Sequence, residues 1–134
     1  MGLFHWFSTP KPMPVVIINN VLGEVLLQIP GRWDLIGANL KGLDLAHADL
    51  SGMFLDGADM SGANLFGARC VGTSFARCKM LGVELSFSNC TSADFQGSNL
   101  DGCLMYRSET TLARFDGAVL SESSDVPGIK LVIA

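Results

Sequence analysis

The chain has 134 residues and a mass of 14.3 kDa, enough for one domain and too short for a second, catalytic one. Hydrophobic residues make up 49% and charged residues 16%, which excludes a disordered chain and calls for a packed, dry interior. Nine Lys and Arg against thirteen Asp and Glu leave a net charge of -4, which argues against direct nucleic-acid binding.

Residues 1–14 carry Phe4, Trp6 and Phe7 ahead of Pro10 and Pro12 and read as a mobile tail. The tail lacks the basic start and apolar run of a signal peptide. No stretch of the chain approaches the roughly 20 apolar residues of a membrane-spanning helix. The expectation is a soluble cytoplasmic protein with reduced thiols and no membrane span. Residues 15–32 read as a β-hairpin cap. Val15-Val16-Ile17-Ile18-Asn19 and Glu24-Val25-Leu26-Leu27-Gln28-Ile29 flank the turn Asn20-Val21-Leu22-Gly23, and Pro30-Gly31 ends the unit.

From residue 33 to 122 the sequence repeats every five residues. Every multiple of five from Leu35 to Leu120 is apolar except Thr110. Two residues earlier the side chain is small, as at Ala38, Ala48, Ala58 and Ala63; Trp33, Leu43, Met53 and Val83 are the oversized exceptions. Two residues after the anchor stands Gly in eleven repeats, from Gly37 to Gly117. A helix would scatter residues five apart by about 140° around its axis, and each interior Gly would cost it about 1 kcal/mol. A straight strand would put alternate anchors on opposite faces. A chain that bends at every repeat points all anchors inward and places Gly where a turn disfavours a Cβ. The product is an all-β solenoid.

Ala38-Asn39-Leu40-Lys41-Gly42, Ala48-Asp49-Leu50-Ser51-Gly52 and Ala63-Asn64-Leu65-Phe66-Gly67 resemble the A-(D/N)-L-x-x unit of the pentapeptide-repeat family. The resemblance implies a right-handed quadrilateral β-helix with four repeats per coil, so eighteen repeats make about four and a half coils. At the ~4.8 Å strand spacing the shaft is about 22 Å long. Residues twenty apart then form columns: Leu35, Leu55, Phe75, Phe95 and Phe115 in one, Leu50, Cys70, Cys90 and Thr110 in the smallest.

Residues 123–134 hold a turn-like segment and a short strand, with Ile129, Leu131 and Ile133 able to cap the last coil or to pair with a second copy as a homodimer. Family members resembling this one often dimerise through their C-terminal ends.

Chemistry is sparse. His5 and His47 are far apart in sequence, the Cys spacings match neither a zinc nor a redox motif, and the common catalytic motifs are absent. A filled β-helix offers no interior cavity, so neither an enzyme nor a cofactor or metal is expected. Cys70 and Cys90 fall within disulfide range in their column, although reduced buried thiols fit the compartment.

Function is therefore sought on the outside. One face projects Asp34, Asp56, Asp94 and Asp116, opposed by Arg77 and Arg114. The resemblance to DNA-mimicking members that occupy the DNA-binding saddle of a type II topoisomerase makes this the candidate mimic surface. Another face projects Phe66, Phe87, Leu104, Tyr106 and Arg107, the composition of a protein interface centre. The leading expectation is a non-enzymatic DNA-mimic-like binder of a DNA-processing enzyme such as a type II topoisomerase. The alternative is a structural or adaptor protein that docks a protein partner through the aromatic face. For the fold, a far-UV circular dichroism spectrum rich in β signal with little helix is expected; a strongly helical spectrum contradicts the solenoid.

Overall fold

A computed structural model describes residues 14–121 and 124–127. It opens with β1 (Val15–Asn20) and β2 (Val25–Pro30), an antiparallel pair running from Val15 opposite Pro30 to Ile18 opposite Leu27, with a bulge between Ile18 and Asn19. Asn20 builds the connecting turn: its Oδ1 accepts the Leu22 and Glu24 amides, both at 2.9 Å. Gly23 follows with a left-handed φ of 87°. The free edge of β1 pairs antiparallel with β3 (Ala48–Asp49), so β1 is the centre of a three-stranded sheet. Its alternation does the rest: Val16 and Ile18 join the core while Val15 and Ile17 face outward.

Beyond the hairpin, parallel bridges join residues twenty apart, from Asn39 with Asp59 to Asn99 with Val119. One circuit of the chain therefore takes four repeats, and columns of like positions stack coil on coil. The backbone is bonded between coils throughout: the Leu40 amide donates to the Asp59 carbonyl at 2.8 Å, and the Asp59 amide to the Ala38 carbonyl at 2.9 Å. The interior is a set of side-chain stacks. Phe75 and Phe95 lie 5.1 Å apart with planes at 12°, and Phe95 and Phe115 lie 5.0 Å apart at 4°. The coil spacing dictates this parallel stacking, since a ring fixed at the same point of each coil has its neighbour directly above.

The corners follow one rule. Every position two after an anchor, from residue 37 to 117, is left-handed: eleven are Gly with φ between 63° and 71°, and six are His47, Arg77, Phe87, Ser92, Arg107 and Leu112 with φ between 53° and 60°. For a residue with a Cβ this conformation costs about 1–2 kcal/mol. At Gly67 there is a second reason: a Cβ would stand 2.6 Å from Nδ1 of His47 one coil away.

At the C-terminal side the spacing slips by one. Asp125 pairs with Leu104, twenty-one residues away, and Val126 is buried in the core. The Ser124 hydroxyl fills the gap, accepting the Gly102 amide at 3.1 Å and donating to the Leu100 carbonyl at 2.7 Å. Residues 124–127, within the segment read as turn-like, thus add part of a further rung. Ile129, Leu131 and Ile133, and residues 1–13 of the tail, lie outside the described residues.

Trp33 occupies the register of the small residues, yet it is 80% exposed. Its column continues through Met53, partly packed against the core, to the fully buried Thr73 and Ala93, whereas Trp33 at the column's end stands outside.

Leu112 is 78% exposed with φ 60°, so Leu112→Gly removes backbone strain at little packing loss. Thermal denaturation of that variant is expected to show a gain of up to about 1 kcal/mol. Gly67→Ala is expected to lower stability by a similar or larger amount.

Candidate interaction surface

The four carboxylates of the candidate acidic face do not form a column. Asp34 and Asp94 share one, with Phe54 and Ser74 between them; Asp56 and Asp116 share another, separated by Ala76 and Gln96. Each is also engaged within the fold. Asp34 Oδ1 accepts the Ile36 amide at 3.0 Å, and Asp94 Oδ1 the Gln96 amide at 2.9 Å. Asp56, half-buried, meets the Arg77 guanidinium at 3.4 Å through Oδ2. Asp116 accepts from the Gln96 side chain at 3.0 Å and faces Arg114 at 4.0 Å. The acidic side chain just before an anchor closes the local turn; Asp44, Asp49 and Asp59 do the same. At Asp59 the amide hydrogen bond from Ser61 holds the carboxyl below its usual range. Asp34, Asp44, Asp49, Asp59 and Asp94 are turn-forming groups, so their regular spacing has a structural cause that needs no ligand.

The aromatic residues do come together. Phe66 lies 5.4 Å from Phe87, and Phe87 lies 5.8 Å from Tyr106 at 76°. Arg107 places its guanidinium 5.6 Å from the centre of the Tyr106 ring, a cation–π contact. His47, noted in the sequence only as far from His5, extends the ladder at the other end: its ring meets Phe66 edge-on at 5.9 Å and lies over Gly67. Phe66, Phe87 and Tyr106 remain 38%, 50% and 54% exposed, and Leu104 stands exposed on the same side. Three members, His47, Phe87 and Arg107, occupy the left-handed corner position of successive rungs around Gly67. Sequence spacing missed His47 because its contact is with Phe66 on the next coil, nineteen residues on; an aromatic search from i+19 to i+21 would have found it.

The interior is filled, but a cleft of about 260 Å³ opens where the hairpin meets the first coil, lined by Val16, Ile17, Trp33, Asp34, Met53 and Phe54 among others. It holds no histidine or cysteine. Among the described residues no group of three or more His, Cys, Asp or Glu side chains is placed to hold a metal ion, and no helix is long and apolar enough to cross a membrane.

All four cysteines are free and buried. The Cys78 thiol is directed at the Leu55 carbonyl at 2.9 Å, and burial pushes it up to about 12. Burial does the same at Cys103, up to about 12. At Cys70, the hydrogen bond shared with Cys90, together with burial, holds the thiol well above its ordinary range. Cys90 also contacts the Ser88 hydroxyl at 3.3 Å. These are inert packing thiols.

Coils of four five-residue repeats, bridged in parallel and filled by stacked side chains, define a β-helical repeat protein. The sequence model for pentapeptide repeats matches in eight copies over residues 34–69, 44–82, 68–105 and 88–124, most of the chain. The protein belongs to the pentapeptide-repeat family, whose fold is a right-handed β-helix. A search of curated proteins finds no match. Among solved structures, the chain is similar to the pentapeptide-repeat protein Rfr23 of the cyanobacterium Cyanothece 51142, at 16% identity over 66% of this chain and 87% of that one, with a TM-score of 0.48. It is similar also to HetL of Nostoc sp. strain PCC 7120, described as involved in the regulation of heterocyst differentiation, at 22% identity over 71% of this chain and 47% of HetL, TM-score 0.40. QnrB1, a plasmid-mediated fluoroquinolone resistance protein, aligns at 14% identity over 66% of this chain and 65% of its own, TM-score 0.31. The family assignment rests on the repeats and not on these superpositions.

The thiol environments give a direct check. In the native protein at pH 8, a disulfide reagent such as Ellman's is expected to leave all four cysteines unmodified over the time in which an exposed thiol reacts completely. In denaturant all four should react.

Proposed function

We propose that this protein is a non-enzymatic binding rod whose working surface is the aromatic corner formed by His47, Phe66, Phe87, Tyr106 and Arg107. The observation that carries the reading is the unbroken ring ladder across four coils, built partly on left-handed positions that Gly occupies more cheaply elsewhere in the chain. Exposed aromatics with an adjacent Arg supply large apolar contact at low entropy cost and are enriched at binding hot spots. In this reading the hairpin at 15–32 caps the N-terminal edge, the repeats from 33 to 122 form the shaft of about four and a half coils, and no cofactor takes part. Reduced, buried thiols support work in a cytoplasmic setting.

Mimicry of DNA toward a type II topoisomerase is the rival. It draws on the net negative charge and the eleven acidic residues, against six basic ones, between residues 33 and 122. The bonding of Asp34, Asp56, Asp94 and Asp116 within the fold weighs against it, because carboxylates closing turns and pairing with arginines present a broken, partly neutralised field.

A photo-crosslinking amino acid placed at Tyr106, and separately at Asp94, tests the two surfaces in cells, with the crosslinked partner then purified and titrated. The expected result is a protein adduct at Tyr106 whose affinity falls at least tenfold on Phe66→Ser and changes little between low and high salt. An adduct only at Asp94, displaced by DNA and weakened by salt, overturns the reading in favour of mimicry.

A further inference from the structure

Resting on the aromatic-corner reading, we infer that the partner docks as an amphipathic α-helix laid along the shaft, with a carboxylate one turn beyond its apolar stripe to meet Arg107. Three features of the corner point to this occupant. The first is that the corner amides of His47, Gly67 and Phe87 are already bonded from coil to coil. The His47 amide donates to the Phe66 carbonyl at 2.8 Å, the Gly67 amide to the Ser86 carbonyl at 2.9 Å, and the Phe87 amide to the Tyr106 carbonyl at 2.9 Å. An extended peptide gains its affinity mainly from main-chain hydrogen bonds to an open strand edge. With these amides spent, the corner presents no strand edge of alternating donors and acceptors along the shaft, which favours a segment whose own backbone is already bonded, the property of a helix.

The second feature is spacing. The exposed rings of Phe66, Phe87 and Tyr106 follow one another at 5.4 and 5.8 Å, on coils rising about 4.8 Å each. Side chains on one face of a helix recur every turn, about 5.4 Å; those on one face of a strand recur at about 6.7 Å. Over the two steps from Phe66 to Tyr106 a helix stays within about 1 Å of the coils, while a strand drifts by more than 3 Å. Residues at i, i+4 and i+7 of a helix therefore each meet the ladder at one coil.

The third feature is charge. Arg107 ends the ladder, its guanidinium over Tyr106, and among the described residues it has no carboxylate within ion-pair distance, in contrast to Arg77 and Arg114. The exposed, aromatic-backed guanidinium suits a bidentate carboxylate brought by the partner.

The test selects peptides on the purified full-length protein from two displayed libraries of equal size. One is a helix-templated scaffold randomised at i, i+4, i+7 and i+11, the other a hairpin scaffold presenting an extended randomised strand. The expected result is enrichment from the helical library of apolar residues at the first three positions and Asp or Glu at the fourth. Affinity of those binders should fall at least tenfold on Arg107→Ala, recover in part with Arg107→Lys, and fall at least tenfold on Phe87→Gly. Because Gly suits the left-handed φ at both sites, Phe87→Gly and a companion Arg107→Gly should melt near the wild-type temperature, so lost binding is not lost folding. Binders that come only from the extended library but still depend on Phe87 overturn the helix and keep the corner. Helical binders indifferent to Arg107 overturn the carboxylate. Binders indifferent to both Phe87 and Arg107 overturn the corner reading with it, and enrichment from neither library overturns the inference as well.

Discussion

The structure depends on one backbone constraint: a left-handed residue every fifth position. It turns the chain through each corner of the coil, so that the next anchor again points inward and the next small residue falls beneath its neighbour. Where that constraint is met by Gly it is nearly free, and where it is met by His47, Phe87 or Arg107 it costs conformational energy that stacking or surface function has to offset. The filled interior is a consequence, because equal corners put like side chains above one another. The three Phe rings at 75, 95 and 115 then stack nearly parallel at the coil spacing.

The same repetition separates two kinds of surface regularity that look alike in sequence. Acidic and amide side chains just before the anchors are regular because each accepts the amide two residues on, as Asn39, Asp44, Asp59 and Asp94 do. Their periodicity belongs to the fold. The aromatic residues have no such local duty. Phe66 and Tyr106 lie one position after an anchor and Phe87 two after, yet their rings interleave across coils. A feature that repeats without a local structural reason is better evidence for an interface than one that closes its own turn.

A rigid rod of this kind suits binding more than conversion. Its functional groups ride on coils whose amides are already bonded to their neighbours, so the surface is preorganised and little ordering is required of it on association. The cleft at the hairpin junction lies at the end of one column, where Trp33 stands outside and Met53 is only partly packed.

The amino-acid sequence alone determined the five-residue period, the inward anchors, the glycine corners and the hairpin, because each is a local pattern whose physical cause lies within a few residues. It also marked Phe66, Phe87, Tyr106 and Arg107 as exposed. What it did not carry was adjacency across coils. That Asp34 and Asp94 are split by Phe54 and Ser74, that Asp56 belongs to Arg77, that His47 joins the ring ladder and that Val126 reaches the core after a one-residue slip all depend on which residues stand nineteen to twenty-one positions apart. Only the closed circuit of the solenoid brings those positions within contact, and so only the tertiary structure decided which surface is continuous.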